Sequence, residues 1–137
     1  MTVRFVDTNV LLYAVSTDPE ESGKAATARE ILKAEDLALS VQVLQEFYVQ
    51  ATRPTRAEPL THEQAADLVE AFARFPVQDL TLAVVRAALR FRERYGLAYW
   101  DSAIIEAARA LGCRTVLSED LSHGQDYGGV TVVNPFV

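Results

Sequence analysis

The 137-residue chain has one cysteine, Cys113, so no disulfide can form within it. Beside Gly112 it reads as a small buried hydrophobe. Two histidines and one cysteine leave a structural zinc site without enough ligands. His62-Glu63 has no second histidine four residues after the first, so there is no zincin motif. Gly23-Lys24 lacks the glycine and the hydroxyl residue of a P-loop, and there is no GxGxxG and no GxSxG elbow. No apolar run approaches membrane-spanning length, and Asp7 interrupts the N-terminal apolar run before it could serve as a leader. A cytoplasmic protein with no membrane association is therefore expected. Positive charge is also scarce. Thirteen Lys and Arg stand against 19 Asp and Glu, a formal net charge of −6. A strongly basic, sequence-independent nucleic-acid binder is excluded. An enzyme that reaches nucleic acid through a bound metal is not, because clustered carboxylates make a chain acidic and also recruit Mg²⁺ or Mn²⁺.

What is present is a globular pattern. Half of the residues are hydrophobic. There is no internal repeat, low-complexity tract or long linker, so residues 1–137 are expected to form one domain. Strands are predicted at Val3–Val6, Leu37–Leu39, Thr115–Leu117 and Val130–Val133, with a weak one at Val77–Leu80. Helices are predicted over Asn9–Val15, Lys24–Ala34, Ser40 to about Arg53, from Thr61 to Phe75, Thr81–Tyr95 and Asp101–Leu111. Ser16–Gly23 and Gly124–Gly129 read as loops. Ser40 is a plausible N-cap, Thr61 to Gln64 fits a capping box, and Gly96 and Gly112 are helix stops. Short strands alternating with helices imply an α/β sandwich around a mostly parallel sheet of four or five strands.

On that scaffold three acids are due at one edge. Asp7 ends the first strand. Asp120 follows the fourth strand. Asp101 lies in the first turn of a helix, where free N–H groups favour an anion. In a parallel sheet the carboxyl ends of the strands and the N-termini of the helices after them share that edge. Singly, each acid is explained as a cap or a turn residue. Together they repel, by roughly 4 kcal/mol for a pair about 4 Å apart at an effective dielectric near 20. Protons or a divalent ion must then neutralise the cluster. Glu46, spaced four residues from Gln42 and from Gln50, fits either a solvated helix face or a fourth cleft acid. Glu119 competes with Asp120, with Ser118 beside them.

These residues carry a resemblance. Val6-Asp7-Thr8-Asn9-Val10-Leu11-Leu12-Tyr13-Ala14, Gln45-Glu46-Phe47, Trp100-Asp101-Ser102-Ala103-Ile104-Ile105 and Leu117-Ser118-Glu119-Asp120-Leu121 resemble the motifs of PIN-domain nucleases. More narrowly, the chain is similar along its whole length to VapC-type toxins of toxin–antitoxin pairs. The resemblance implies a Rossmann-like sandwich and an endoribonuclease that inhibits translation or growth. It implies Asp7, Glu46, Asp101 and Asp120 as the catalytic, metal-holding residues for Mg²⁺ or Mn²⁺, and Thr8, Asn9 and Ser118 around them. Asn9 is expected to orient Asp7 or a metal-bound water, and Ser118 to orient Asp120.

The resemblance also implies an RNA substrate, a homodimer and a VapB-type antitoxin laid along an apolar groove. Leu11, Leu12, Tyr13, Phe47 and Tyr48 are candidates for that groove, or equally for the core. Cations for phosphate are sought in Arg53 and Arg56, and in the stripe Arg86, Arg90 and Arg94, which also fits a solvated face. The rivals are weaker. A phosphatase with Asp7 as nucleophile wants an acid at position 9, which is Asn. A phospho-accepting receiver wants a lysine on a late strand, and the only lysines are Lys24 and Lys33. A non-catalytic module that binds metal and a partner remains as the alternative from another class.

Overall fold

A computed structural model describes residues 3–137; the leader expectation falls partly on Met1 and Thr2, which lie outside the described residues. Among the described residues six strands form one sheet in the order β3-β2-β1-β4-β6-β5. They are β1 (Arg4–Val6), β2 (Leu37–Ser40), β3 (Val77–Gln78), β4 (Thr115–Leu117), β5 (Asp126–Tyr127) and β6 (Val130–Val133). All neighbouring pairs are parallel except β5 with β6. Among the described residues six helices flank the sheet: α1 (Thr8–Ala14), α2 (Ser22–Ile31), α3 (Val41–Ala51), α4 (His62–Phe72), α5 (Leu82–Tyr95) and α6 (Tyr99–Ala110). The expected α/β class holds, with six strands in place of four or five. The extra one is β5, which pairs within the stretch expected to be a loop. Gly128 and Gly129, both at positive φ, make the tight turn into β6. A short 3-10 turn at Pro19–Glu21 occupies part of the other expected loop.

Local chemistry explains the boundaries. Ser40 Oγ accepts from the Val43 N–H and starts α3. Thr61 and Gln64 exchange both bonds of the capping box at α4. Gly96, at φ 73°, ends α5 in the left-handed conformation that glycine adopts without strain. Three elements end earlier than the pattern implies: β3 pairs only over Val77–Gln78, α2 stops at Ile31 and α4 at Phe72. Helix α6 instead begins earlier, so Tyr99 and Trp100 belong to its first turn. On α5, Val84, Ala88 and Phe91 face inward, while Ala83 is exposed.

The core explains why the sheet is where it is. Phe5, Leu11, Leu39, Phe47, Ile105 and Val116 are fully buried. Each such side chain contributes about 1.5–3 kcal/mol relative to exposure. Leu11 and Phe47 therefore belong to the core and line no groove. Tyr13 and Tyr48 are half-buried, bonded to Glu119 and His62. Cys113 is buried too, and burial pushes its thiol up to about 11, so it is inert as a nucleophile at neutral pH.

The strand order places the site. The chain steps outward from β1 to β2 and β3, then returns to lay β4 on the other side of β1. The carboxyl ends of β1 and β4 thus flank the point where the winding reverses, which opens a crevice in folds of this kind. Helix α3 follows β2 directly, and α6 packs against β2, β3, β4 and β6. No described helix is long and apolar enough to cross a membrane.

Candidate active site

Asp7 stands where β1 becomes α1. The β1–β4 register ends at Val6 opposite Leu117, and the Asp7 N–H continues it by donating to the Leu117 carbonyl at 3.0 Å. That register puts Ser118 next to Asp7. Ser118 Oγ, fully buried, donates to Asp7 Oδ2 at 2.7 Å. Asp7 Oδ1 accepts from the Thr8 N–H at 2.7 Å as the cap of α1. Cap and cleft acid are therefore the same residue.

Asn9, in the first turn of α1, reaches the other way. Its Nδ2 donates to Asp120 Oδ2 at 3.2 Å, and its Oδ1 accepts from the Glu119 N–H at 3.2 Å. Ser118 Oγ also accepts from the Asp120 N–H at 3.1 Å, so Ser118 supports Asp120 as expected and holds Asp7 as well, while the Asn9 amide bonds Asp120 and not Asp7. The reason is the register. It sets Ser118 against the end of β1, while the first turn of α1 carries Asn9 toward residues 118–120.

Glu46 belongs to the cleft. Its Oε2 accepts from Thr8 Oγ1 and its Oε1 from Gln42 Nε2, both at 2.8 Å. Gln42 is buried and also donates to the Trp100 carbonyl at 3.3 Å, so α3 and the first turn of α6 are tied together. The stripe Gln42, Glu46, Gln50 is thus a cleft wall and not a solvated face. Sequence reasoning noted its spacing but passed over Gln42 itself; an amide one turn before a cleft acid was the available signal. Asp101 enters from the first turn of α6, and among the described residues no hydrogen bond reaches its carboxylate. Glu119 turns away. Its Oε1 accepts from Tyr13 Oη at 2.7 Å and its Oε2 pairs with Lys24 Nζ at 2.8 Å. Against the upward push of burial, these two partners hold its carboxyl below the ordinary range.

Asp7, Glu46, Asp101 and Asp120 line one cleft of about 120 Å³ with Thr8, Asn9, Gln50 and Trp100. Among the described residues no Lys or Arg lines it. The electrostatics follow from that. Burial pushes Asp7 up to about 6; the Ser118 and Thr8 bonds oppose the rise, and the charges of Asp120 and Glu46 add to it. Asp101 is raised by burial first, then by Asp120 and Glu46. The cleft holds more negative charge than it can balance.

The donor set suits a hard divalent cation, being all carboxylate and amide oxygen with no sulfur or imidazole. Among the described residues no group of three or more His, Cys, Asp or Glu side chains is placed to hold a metal ion. An ion such as Mg²⁺ does not need three, since it keeps several waters and takes only one or two carboxylates plus substrate phosphate. The residues present therefore fit the group. The arginines are scattered: Arg53 borders an adjoining cleft, Arg56 lines a separate pocket between the α1–α2 and α3–α4 loops, and Arg86 is exposed on α5. Arg90 and Arg94 line a pocket against α6.

Known proteins share this fold. The chain aligns over 96% of its length, at 19% identity and a TM-score of 0.69, with 97% of a chain from a toxin–antitoxin complex of Klebsiella pneumoniae. It covers 85% of its length against 91% of VapC20 of Mycobacterium tuberculosis, a sarcin-ricin loop cleaving toxin, at 18% identity and a TM-score of 0.66. DNA-bound VapBC of Salmonella typhimurium gives 21% identity, a TM-score of 0.67 and coverage of 96% and 97%. These likenesses show a shared fold. No curated protein sequence matches the chain. The family model of the PIN domain matches residues 4–124, a span that holds β1, the helix starts and all four cleft acids. On that match the chain belongs to the PIN domain family.

Proposed function

We propose that this chain is a metal-dependent endoribonuclease, a single PIN domain acting as the cytoplasmic toxin of a toxin–antitoxin pair. The observation that carries the reading is the cleft itself: four carboxylates, no lining cation among the described residues, and two of the acids pushed upward by burial and by one another. Structural likeness to VapC20, described as a sarcin-ricin loop cleaving toxin, and to toxin–antitoxin complexes supports RNA as substrate and an antitoxin as partner.

Asp7, Glu46, Asp101 and Asp120 would hold one or two Mg²⁺ or Mn²⁺ ions. A bound divalent ion supplies positive charge that makes water a nucleophile near neutral pH and offsets charge on the scissile phosphate. The chain's own residues do the positioning. Ser118 Oγ and the Thr8 N–H fix both oxygens of Asp7, and Thr8 Oγ1 and Gln42 Nε2 fix both oxygens of Glu46. Each carboxylate oxygen keeps a further lone pair for the cleft. Asn9 ties Asp120 to the start of α1, so the strand ends and helix starts move as one unit.

A homodimer neutralised by a VapB-type antitoxin completes the proposal. Sequencing RNA ends after inducing this chain without an antitoxin tests the toxin reading. New ends at a defined RNA site, absent on inducing Asp101→Asn, support it. Metal binding with no new ends in any RNA would favour the non-catalytic module.

A further inference from the structure

Trp100 is the only tryptophan of the chain, and it is 64% exposed. A side chain this large is ordinarily well buried, and the fold does not need this one for its core. Its position is nevertheless fixed. Gln42 Nε2 holds its carbonyl, and the Tyr99 ring stands edge-on to the indole at a centroid distance of 5.1 Å and an interplanar angle of 77°.

Trp100 also borders two clefts at once. With Glu46 and Gln50 it forms the wall shared by the acid cleft and a second, wider cleft of about 470 Å³. That second cleft adds Gln45, exposed Val49 and Arg53. Its composition differs in kind from the acid cleft. It offers one aromatic face, one aliphatic surface and the side-chain amides of Gln45 and Gln50. Among the described residues it also holds the only Lys or Arg lining either cleft.

We propose that this second cleft is a nucleobase subsite, in which a base flanking the scissile phosphate of single-stranded RNA stacks on Trp100. The inference rests on the nuclease reading and names the form of its substrate. A strand with one phosphodiester against the acids runs on past the shared wall, so its neighbouring base enters the wider cleft. A base needs a flat π surface, which Trp100 offers, and amides for its edge, which Gln45 and Gln50 offer as both donor and acceptor. Arg53 is placed for the next phosphate, where a guanidinium contacts two oxygens together. A duplex hides its bases in its own stack, so only an unpaired nucleotide can occupy this surface.

The single tryptophan makes the test direct. Asp7→Asn protein with Mg²⁺ is titrated with a mixed-sequence single-stranded oligoribonucleotide, its abasic counterpart and the same sequence as a duplex, while tryptophan emission is read. Saturable quenching by the single strand is expected, with little from the abasic or duplex forms. Trp100→Ala should weaken binding of a labelled single strand by about tenfold to a hundredfold, and Trp100→Phe by far less. RNA that is bound by Asp7→Asn with Trp100 emission unchanged and is cleaved by wild type, or an abasic strand that binds as well as the intact one, would overturn the subsite and leave the nuclease standing. Failure of any RNA to bind or be cut would overturn both. Emission that responds to protein concentration and not to RNA would show Trp100 covered by a second copy, which also overturns the subsite.

Discussion

Replacing Asp7 with Asn in the metal-free protein should change how stability responds to pH more than how stable the protein is. The Asp7 carboxyl rises from an ordinary 3.8 to about 6 on folding, mainly because it is buried. A carboxyl raised in this way binds more protons folded than unfolded between those two values. Its contribution to stability is therefore fully present below pH 3.8 and is lost as pH rises through 6. Each tenfold change in acid strength is worth about 1.36 kcal/mol, so the whole effect is about 3 kcal/mol. Between about pH 4.5 and 7.5 about 2 kcal/mol of it should be lost.

Asn removes the titration but adds a fixed offset. Ser118 Oγ already accepts from the Asp120 N–H and, at 3.4 Å, from Asn9 Nδ2, so an amide donor at position 7 finds no free lone pair there. The informative quantity is thus the slope. Urea unfolding of both proteins in EDTA across that range should give a stability difference that falls, wild type minus variant, by about 2 kcal/mol toward high pH. Saturating Mg²⁺ should flatten the wild-type curve by keeping the carboxylate ionised. Parallel curves in EDTA would refute the claim that Asp7 is a desolvated acid.

Three further outcomes follow from named contacts. Ser118→Ala removes the buried hydroxyl on Asp7, and should weaken Mn²⁺ binding by about 10- to 100-fold in a calorimetric titration; unchanged affinity would remove Ser118 from the site. Gly96→Ala forces a side chain into φ 73° with no steric contact within 4 Å, and should cost about 1–2 kcal/mol by denaturant unfolding through backbone strain alone. Arg53→Glu should lower RNA affinity and reduce the dependence of log affinity on log salt by roughly one, while Arg86→Glu on exposed α5 should change neither; equal effects would deny the cleft its phosphate contact.

The parts of the fold set by local chemistry were legible in the sequence. Ser40, Thr61 and Gly96 act as the caps and stop their residue types imply, because a cap is satisfied within one turn of chain. Asp7 at a strand end and Asp101 in a first turn were legible for the same reason. The illegible parts depend on distant partners. β5 is two residues whose strand character comes from pairing with β6, and no periodicity can be read in so short a span. The spacing of Gln42, Glu46 and Gln50 defines one helix face but not what that face meets. Thr8, far away in sequence, decides it by donating to Glu46. That Ser118 reaches Asp7 and Asn9 reaches Asp120 likewise follows from the β1–β4 register, which joins residues more than a hundred positions apart.

The central claim is that four cleft carboxylates serve RNA cleavage through a divalent ion, and cleavage under metal control tests it most directly. A labelled single-stranded RNA pool is incubated with wild type, Asp7→Asn and Asp101→Asn in Mg²⁺, in Mn²⁺ and in EDTA. The account predicts discrete products from wild type with either ion, none in EDTA, restoration when the ion is returned in excess, and at least about a hundredfold loss in each variant, the scale of removing one group that stabilises transition-state charge. Equal cleavage by Asp7→Asn, or full activity in EDTA, would contradict it.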